Sequence, residues 1–194
     1  MVQMKQVVLC GYGGQGIVLA GQILGQAASD DGKWVSGTNS YGAAARGGAC
    51  RAEVVISDQP IVFPHIIEAD ILIAMYQNAY SKYIGQVKSG VGVVIYDDGF
   101  VSPEEISGLK YVPVPATRTA IEELNREIVA NVIILSASVE ITGIVSKEAL
   151  RSAVKEIVPG RLGELDLKAV DIGFRLGGIK LPKISKIQKG KATG

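Results

Sequence analysis

Apolar residues cluster in short runs along the first part of the chain, and most runs end at glycine or at a polar turn. Such runs are typical of strands that are buried in a parallel sheet. Strands are predicted at 6–10, 33–40, 71–75, 91–96 and 110–114. In residues 49–57, small or apolar residues alternate with Arg51, Glu53, Val55 and Ser57. This alternation predicts a further strand with one face in solvent.

Apolar residues at helical spacing fill much of the remaining chain. Helices are predicted at 16–28, 76–87, 117–125, 126–142, 147–158 and 162–176. The tyrosine stripe of 76–87 is more typical of a core than of a cofactor site. Residues 126–142 are apolar almost all round, which predicts burial in a core or an interface. The alternation of strands with helices along the chain predicts an α/β fold. We expect a doubly wound, mostly parallel sheet with helices on both faces and a helical C-terminal third.

The 194 residues suit one domain, which we place at 1–178, followed by a lysine-rich tail at 179–194. The net charge of +1 is uneven, because residues 176–194 hold five lysines and no acid. The tail is interpreted as a solvated terminus, with a partner-docking tail as the alternative. The nearly neutral body gives no reason to predict nucleic-acid binding. No signal peptide is evident and no apolar run approaches the roughly 18 residues of a membrane span. A cytoplasmic location is therefore expected.

Catalytic and metal-ligating patterns are missing from the sequence. Cys10 and Cys50 are predicted to be small buried hydrophobes, and two thiols are too few for a Cys-ligated iron–sulfur cluster. The one histidine, His65, has no nucleophile at a recognisable spacing. The adjacent acids Asp97 and Asp98 are expected to be solvated. We therefore predict no catalytic residue and no metal site on this chain.

A glycine loop is the main chemical signal. Residues 11–16 read GYGGQG, which fits G-x-G-x-x-G directly after a predicted strand and before a predicted helix. Gly11 permits a tight turn, Gly13 permits close backbone approach, and Gly16 permits close helix–strand packing. Free N–H groups and the positive end of the helix favour an anion, usually phosphate. A tight turn without a ligand remains the alternative.

An NAD site normally has an acid at the end of the second strand. That strand ends here in GTNS, so the glycine loop is interpreted as a phosphate site for another ligand. The next loop, SYGAAARGG at 40–48, contains Arg46. Loops at the carboxyl ends of neighbouring strands share one crevice, so this loop is expected near the glycine loop. Arg46 is suited to bind phosphate or carboxylate through two bonds, although a plain surface arginine is the alternative.

Three ordered segments together resemble the gamma subunits of 2-oxoacid:ferredoxin oxidoreductases. They are GYGGQGIVLAGQILGQAA, then SYGAAARGG with the strand ACRAEVVIS, and later ANVIIL followed by Thr142 and Gly143. The resemblance covers roughly residues 5–178. It implies a subunit of a complex that decarboxylates a 2-oxoacid, passes electrons to ferredoxin and releases acyl-CoA. Thiamine diphosphate and [4Fe-4S] clusters are then expected on the alpha, beta and possibly delta subunits, and none on this chain.

The resemblance also implies that this subunit helps to hold coenzyme A (CoA). Carried over by position, the contacts are Gly13, Gly14 and Gln15, then Ala45 and Arg46, and finally Asn131. Some relatives have a charged residue where this chain has Ala43-Ala44-Ala45, which leaves Arg46 as the cation of that loop. The SYGAAARGG segment slightly favours 2-oxoglutarate as the substrate of the complex, and pyruvate and indolepyruvate remain open.

Two alternatives stay open at this point: a freestanding nucleotide-binding redox protein, and a structural subunit whose glycine loop binds nothing. For the favoured interpretation, the isolated chain is expected to be inactive. It is expected to form a homo-oligomer alone through the apolar 126–142 helix, and a hetero-complex in the cell.

Overall fold

Six strands form one sheet in the computed structural model, which describes residues 4–40, 48–158 and 160–179 apart from the side chains of 161 and 162. They are β1 (Met4–Tyr12), β2 (Trp34–Ser40), β3 (Ala49–Ser57), β4 (Ile71–Ala74), β5 (Val93–Asp97) and β6 (Lys110–Val114). Their order is β2-β3-β1-β4-β5-β6. Strands β1, β4, β5 and β6 are parallel neighbours, whereas β3 runs antiparallel to both β1 and β2.

Helices cover both faces of this sheet, but unequally. They are α1 (Ile17–Asp30), α2 (Gln77–Tyr83), α3 (Ala116–Leu124), α4 (Ala130–Thr142), α5 (Lys147–Ile157) and α6 (Arg161–Gly178), with 3-10 turns at Ile84–Gln86 and Glu127–Val129. The larger core joins one sheet face to α1, α4, α5 and α6. The smaller core places Tyr80 and Tyr83 of α2 against Val8 and Leu72. The predicted α/β class, the two covered faces and the helical C-terminal third are confirmed.

The prediction of a solvent-facing side on β3 is wrong. Glu53, Val55 and Ser57 are all buried, and only Arg51 of that side is partly exposed. The chain after β3 folds back over this face, where the Pro64 carbonyl accepts a hydrogen bond from the Ser36 hydroxyl on β2. Glu53 tolerates burial because it accepts a hydrogen bond from Thr38 and forms an ion pair with Arg51 at 2.9 Å.

Helix α4 begins later than the sequence predicts, at Ala130, after the 3-10 turn. Every residue from 130 to 139 is buried, and α6 packs along this helix. Gly173 and Gly177 permit that packing, because a Cβ at either position would collide with the α4 backbone. Burial of this apolar helix is thus confirmed. The argument that it drives self-association is wrong, because the chain covers the helix itself.

Cys10 and Cys50 are buried, as predicted, on opposite faces of the sheet. Burial raises the pKa of both thiols. Within the described part of the chain, no helix combines the length and the apolar character that crossing a bilayer requires. The lysine-rich tail lies outside the described residues from 180 onward, so its predicted boundary stays a prediction.

Candidate functional site at the carboxyl end of the sheet

The glycine loop connects the end of β1 to the start of α1, as predicted. It turns at Gly13 and Gly14, and the backbone of Gly14 has a φ of 119°. Gly16, the residue before α1, has a φ of 71° and provides no side-chain cap. Both φ values favour glycine over any residue with a side chain. The first N–H groups of a helix have no partner inside the helix, so the start of α1 offers free donors.

Gln15 fastens this loop to the neighbouring strand. Its side chain is only 8% exposed. Its Oε1 accepts a hydrogen bond from the Tyr12 N–H at 3.0 Å, and its Nε2 donates to the Met75 carbonyl at 3.0 Å, just beyond β4. Gly11 leaves room for this arrangement, since a Cβ there would collide with Gln15 Oε1 and with Ile17 Cδ1. The Gln15 amide therefore holds the loop in shape.

Asn131, at the start of α4, lies directly beneath the loop. It is 2% exposed, and its Nδ2 donates to the Gly16 carbonyl at 3.0 Å. Its Oδ1 accepts from the Val132 N–H at 2.9 Å. A Cβ on Gly16 would collide with the Asn131 amide. The structure thus brings together the glycine loop and Asn131, although their separation in sequence is 115 residues.

The loop that contains Ala45 and Arg46 lies outside the described residues, but both of its ends are described. It follows the carboxyl end of β2 and leads into β3, whose first residue Ala49 pairs with Tyr12. The Gly48 carbonyl accepts a hydrogen bond from the Gly13 N–H at 3.2 Å. Gly48, two residues after Arg46, therefore contacts the glycine loop directly.

A cavity of about 270 Å³ opens beside this loop. Tyr12, Gly14 and Gln15 line it from the loop, and Thr117 and Glu127 line it from the helical third. A larger crevice of about 670 Å³ lies at the amino end of the parallel strands. Four of its charged lining residues form ion pairs, Lys5 with Asp70 and Lys33 with Asp58. At the carboxyl end, the usual ligand end of such sheets, this cavity lies beside the glycine loop and the uncapped start of α1.

The comparisons with known proteins agree with the motifs. The family model for pyruvate ferredoxin/flavodoxin oxidoreductase matches residues 6–176. The subunit KorC of 2-oxoglutarate synthase from Methanocaldococcus jannaschii is 45% identical over 175 residues, which is 89% of this chain and 93% of that protein. This chain belongs to the pyruvate ferredoxin/flavodoxin oxidoreductase family.

Two solved structures of related proteins have the same fold. The gamma subunit of a keto/oxoacid ferredoxin oxidoreductase from Geobacter sulfurreducens is 40% identical with a TM-score of 0.79, covering 89% of this chain and 98% of that chain. The 2-oxoglutarate:ferredoxin oxidoreductase from Magnetococcus marinus, with 2-oxoglutarate, coenzyme A and succinyl-CoA bound, is 23% identical with a TM-score of 0.82. The match covers 90% of this chain and 31% of that longer chain, and at 23% identity it shows the fold alone. The predicted identity as a gamma-type subunit of an oxidoreductase of this family is confirmed.

The sequence interpretation missed the residues of the helical third that line the cavity, and family membership alone does not locate them. Asp97, expected in solvent, is fully buried at the end of β5. Its Oδ2 accepts from the Thr117 N–H at 3.0 Å and from the Thr117 hydroxyl at 2.5 Å. Burial raises the pKa of this carboxyl, against the opposing effect of these hydrogen bonds. No local sequence pattern signals this contact, because Asp97 and Thr117 are 20 positions apart and the residue that precedes α3 is Pro115.

Proposed function

We propose that this chain is the gamma subunit of a 2-oxoglutarate:ferredoxin oxidoreductase and that its glycine loop binds the phosphate-bearing part of CoA. The observation that supports the site is the uncapped start of α1 beside a loop with two glycines at positive φ. The resemblance to KorC, a subunit of 2-oxoglutarate synthase, supports the substrate. Phosphate oxygens accept hydrogen bonds from such free N–H groups, and the helix dipole favours their negative charge.

The proposed division of labour assigns the chemistry to other subunits. Alpha and beta subunits, with a possible delta subunit, hold thiamine diphosphate and [4Fe-4S] clusters and pass electrons to ferredoxin. This chain supplies one edge of a shared CoA site, from Gly11, Gly13, Gly14 and Gly16 with Ala45 and Arg46. Gln15 and Asn131, which the resemblance placed among the CoA contacts, bond backbone groups through their amides and are proposed to position that edge. A cytoplasmic location stays a prediction.

Arg46→Ala tests the proposal in the reconstituted complex. A charge-assisted bond is worth roughly 1.5–3 kcal/mol, so the apparent KM for CoA is expected to rise by about tenfold or more. The KM for 2-oxoglutarate and the decarboxylation step are expected to be unchanged. Arg151→Ala is the matched control, because Arg151 is an ion-paired surface arginine on α5.

Gly14→Val gives a second test of the same edge. Only glycine adopts the φ of 119° at this position without strain, so a side chain there displaces the loop N–H groups. The variant is expected to weaken CoA binding at least as much as Arg46→Ala. If both variants retain the CoA dependence of the unmodified complex, the glycine loop has a purely structural role and the CoA proposal is wrong.

A further inference from the structure

The segment that follows β3 crosses one face of the sheet at the end opposite the glycine loop. On β2, the Ser36 hydroxyl donates a hydrogen bond to the Pro64 carbonyl at 3.2 Å. On β1, the Gln6 Oε1 accepts a hydrogen bond from the Ile67 N–H at 2.6 Å. Val55 of β3 pairs with both Ser36 and Gln6, so the segment crosses three strands. It covers this face and presents its own outer side to solvent.

Five large apolar side chains of this segment and of the strands beneath it are exposed, and we call them the apolar patch. Val62 is 95% exposed, Ile67 71%, Phe63 and Trp34 55% each, and Met4 41%. Trp34 of β2 and Met4 of β1 pair with the same residue of β3, so their side chains point to one face. That face is the one that the segment crosses, because Trp34 lies two positions before the serine that bonds the segment. Exposed apolar surface concentrated on one side of a protein marks an interaction site.

Strand β2 leaves one edge of the sheet open beside this patch. It pairs with β3 on one side, and no other strand in the described part of the chain pairs with its outer side. Its sequence WVSGTNS contains no charged residue and no proline, the residues that commonly protect an edge strand from pairing. Trp34 begins this strand, so the open backbone groups adjoin the apolar patch. Such an edge is suited to pair with an identical edge, antiparallel, about a two-fold axis.

We propose that two copies of this chain associate about a two-fold axis through the open edge of β2 and the apolar patch. The five exposed side chains present roughly 500 Å² of apolar surface. Two copies therefore bury about 1,000 Å², and the paired β2 strands add backbone area, which reaches the range of about 1,200–2,000 Å² that stable interfaces bury. A two-fold contact places the same surface on both copies, and an uncharged patch meets its own copy without like-charge repulsion.

Size-exclusion chromatography with light scattering, together with the fluorescence of Trp34, tests this interface on the isolated full chain. Trp34 is the one tryptophan of the sequence, so its emission reports on this surface. The unmodified chain is expected to have twice its mass of 20.4 kDa, with emission that shifts to longer wavelength on dilution. Val62→Glu places a charge in the contact and is expected to raise the dissociation constant of the dimer by about tenfold or more. Ile121→Glu is the control, because Ile121 is an exposed residue of α3, which follows the opposite edge strand β6.

A chain that is monomeric at every concentration overturns this inference, and so does a dimer that Val62→Glu leaves unchanged. An equal loss in Ile121→Glu also overturns it, because any added charge would then separate the two copies. Partner subunits of the complex and phosphatidylcholine vesicles are the other occupants to test with a monomeric chain. If Val62→Glu weakens binding to either of them, the patch belongs to that occupant and self-association is wrong. These outcomes leave the CoA proposal untouched, since that proposal depends on the kinetics of Arg46→Ala and Gly14→Val.

Discussion

Asn131 is the residue that ties the glycine loop to the helical third. Its buried amide bonds the Gly16 carbonyl, and Gly16 has no Cβ where the two meet. Asn131→Ala leaves the Gly16 carbonyl without its hydrogen-bond donor. The free energy of unfolding, measured by urea denaturation, is therefore expected to fall by about 1–3 kcal/mol. Ser138→Ala is the control, because this hydroxyl only repeats a bond to the Ile134 carbonyl within α4. Equal losses in both variants would contradict a special role for Asn131.

Asp166 on α6 is a second residue whose burial has a measurable consequence. It is 6% exposed and has no hydrogen-bond or ion-pair partner among the described residues. Burial raises its pKa to about 6 from the ordinary 3.8. The folded protein therefore holds this proton more tightly than the unfolded chain does. Its contribution to stability is present below about pH 4 and is lost as the pH rises to about 6.

Asp166→Asn removes the free-energy cost of burying an ionised carboxylate. The variant is expected to be more stable than the unmodified protein by about 1–3 kcal/mol at pH 8, with a much smaller difference at pH 4. Denaturation midpoints measured across that range check the sign. Asp171→Asn, an exposed residue paired with Arg151, serves as the control and is expected to show no such gain. A variant that is less stable at pH 8 than at pH 4, relative to the unmodified protein, would contradict the assignment.

At the scale of elements, the close approach of α6 to α4 depends on glycine. A Cβ on Gly173 would lie 2.5 Å from Ser136 Cβ and would collide with the Ile133 carbonyl. Gly173→Ala is therefore expected to lower the free energy of unfolding by about 3 kcal/mol, the upper end of typical overpacking effects. Gly25→Ala on α1 is the matched control. A Cβ there meets only Val35 at an ordinary 3.6 Å, so this change is expected to stabilise by about 0.5–1 kcal/mol. A gain at both glycines would contradict this expectation, because helix propensity would then outweigh the packing of α6 on α4.

The spacing of apolar residues predicted every strand and every α-helix that the structure describes. It does so because burial of one or both faces of an element sets the period at which apolar residues recur. The solvent face predicted for β3 was wrong because an irregular segment covers it, and such a segment leaves no periodic trace in the strand. The glycine loop was predictable since strand, loop and helix are contiguous. The cap between Asp97 and Thr117 joins residues 20 positions apart, and the cavity was missed because that contact depends on the sheet order.

At the scale of the whole molecule, the helical third buries the most apolar helix inside the chain. Self-association therefore has to use other surfaces, and the expected homo-oligomer stays a prediction. Size-exclusion chromatography with light scattering on the isolated chain measures it. The fold has its glycine loop and a cavity of about 270 Å³ at the carboxyl end of a single sheet, and the cavity is too small for a whole coenzyme. This geometry suits a site that a partner subunit completes.

The isolated chain is accordingly expected to show no turnover with 2-oxoglutarate, CoA and an electron-accepting dye. Its two cysteines are too few for a Cys-ligated iron–sulfur cluster, and both are buried in opposite faces of the sheet. Adding the alpha and beta subunits is expected to produce CoA-dependent turnover that Arg46→Ala impairs and Arg151→Ala does not. The assay measures dye reduction at saturating thiamine diphosphate, with and without the partners. Turnover by the isolated chain would contradict the division of labour, because the decarboxylation and electron-transfer groups would then have to lie on this subunit.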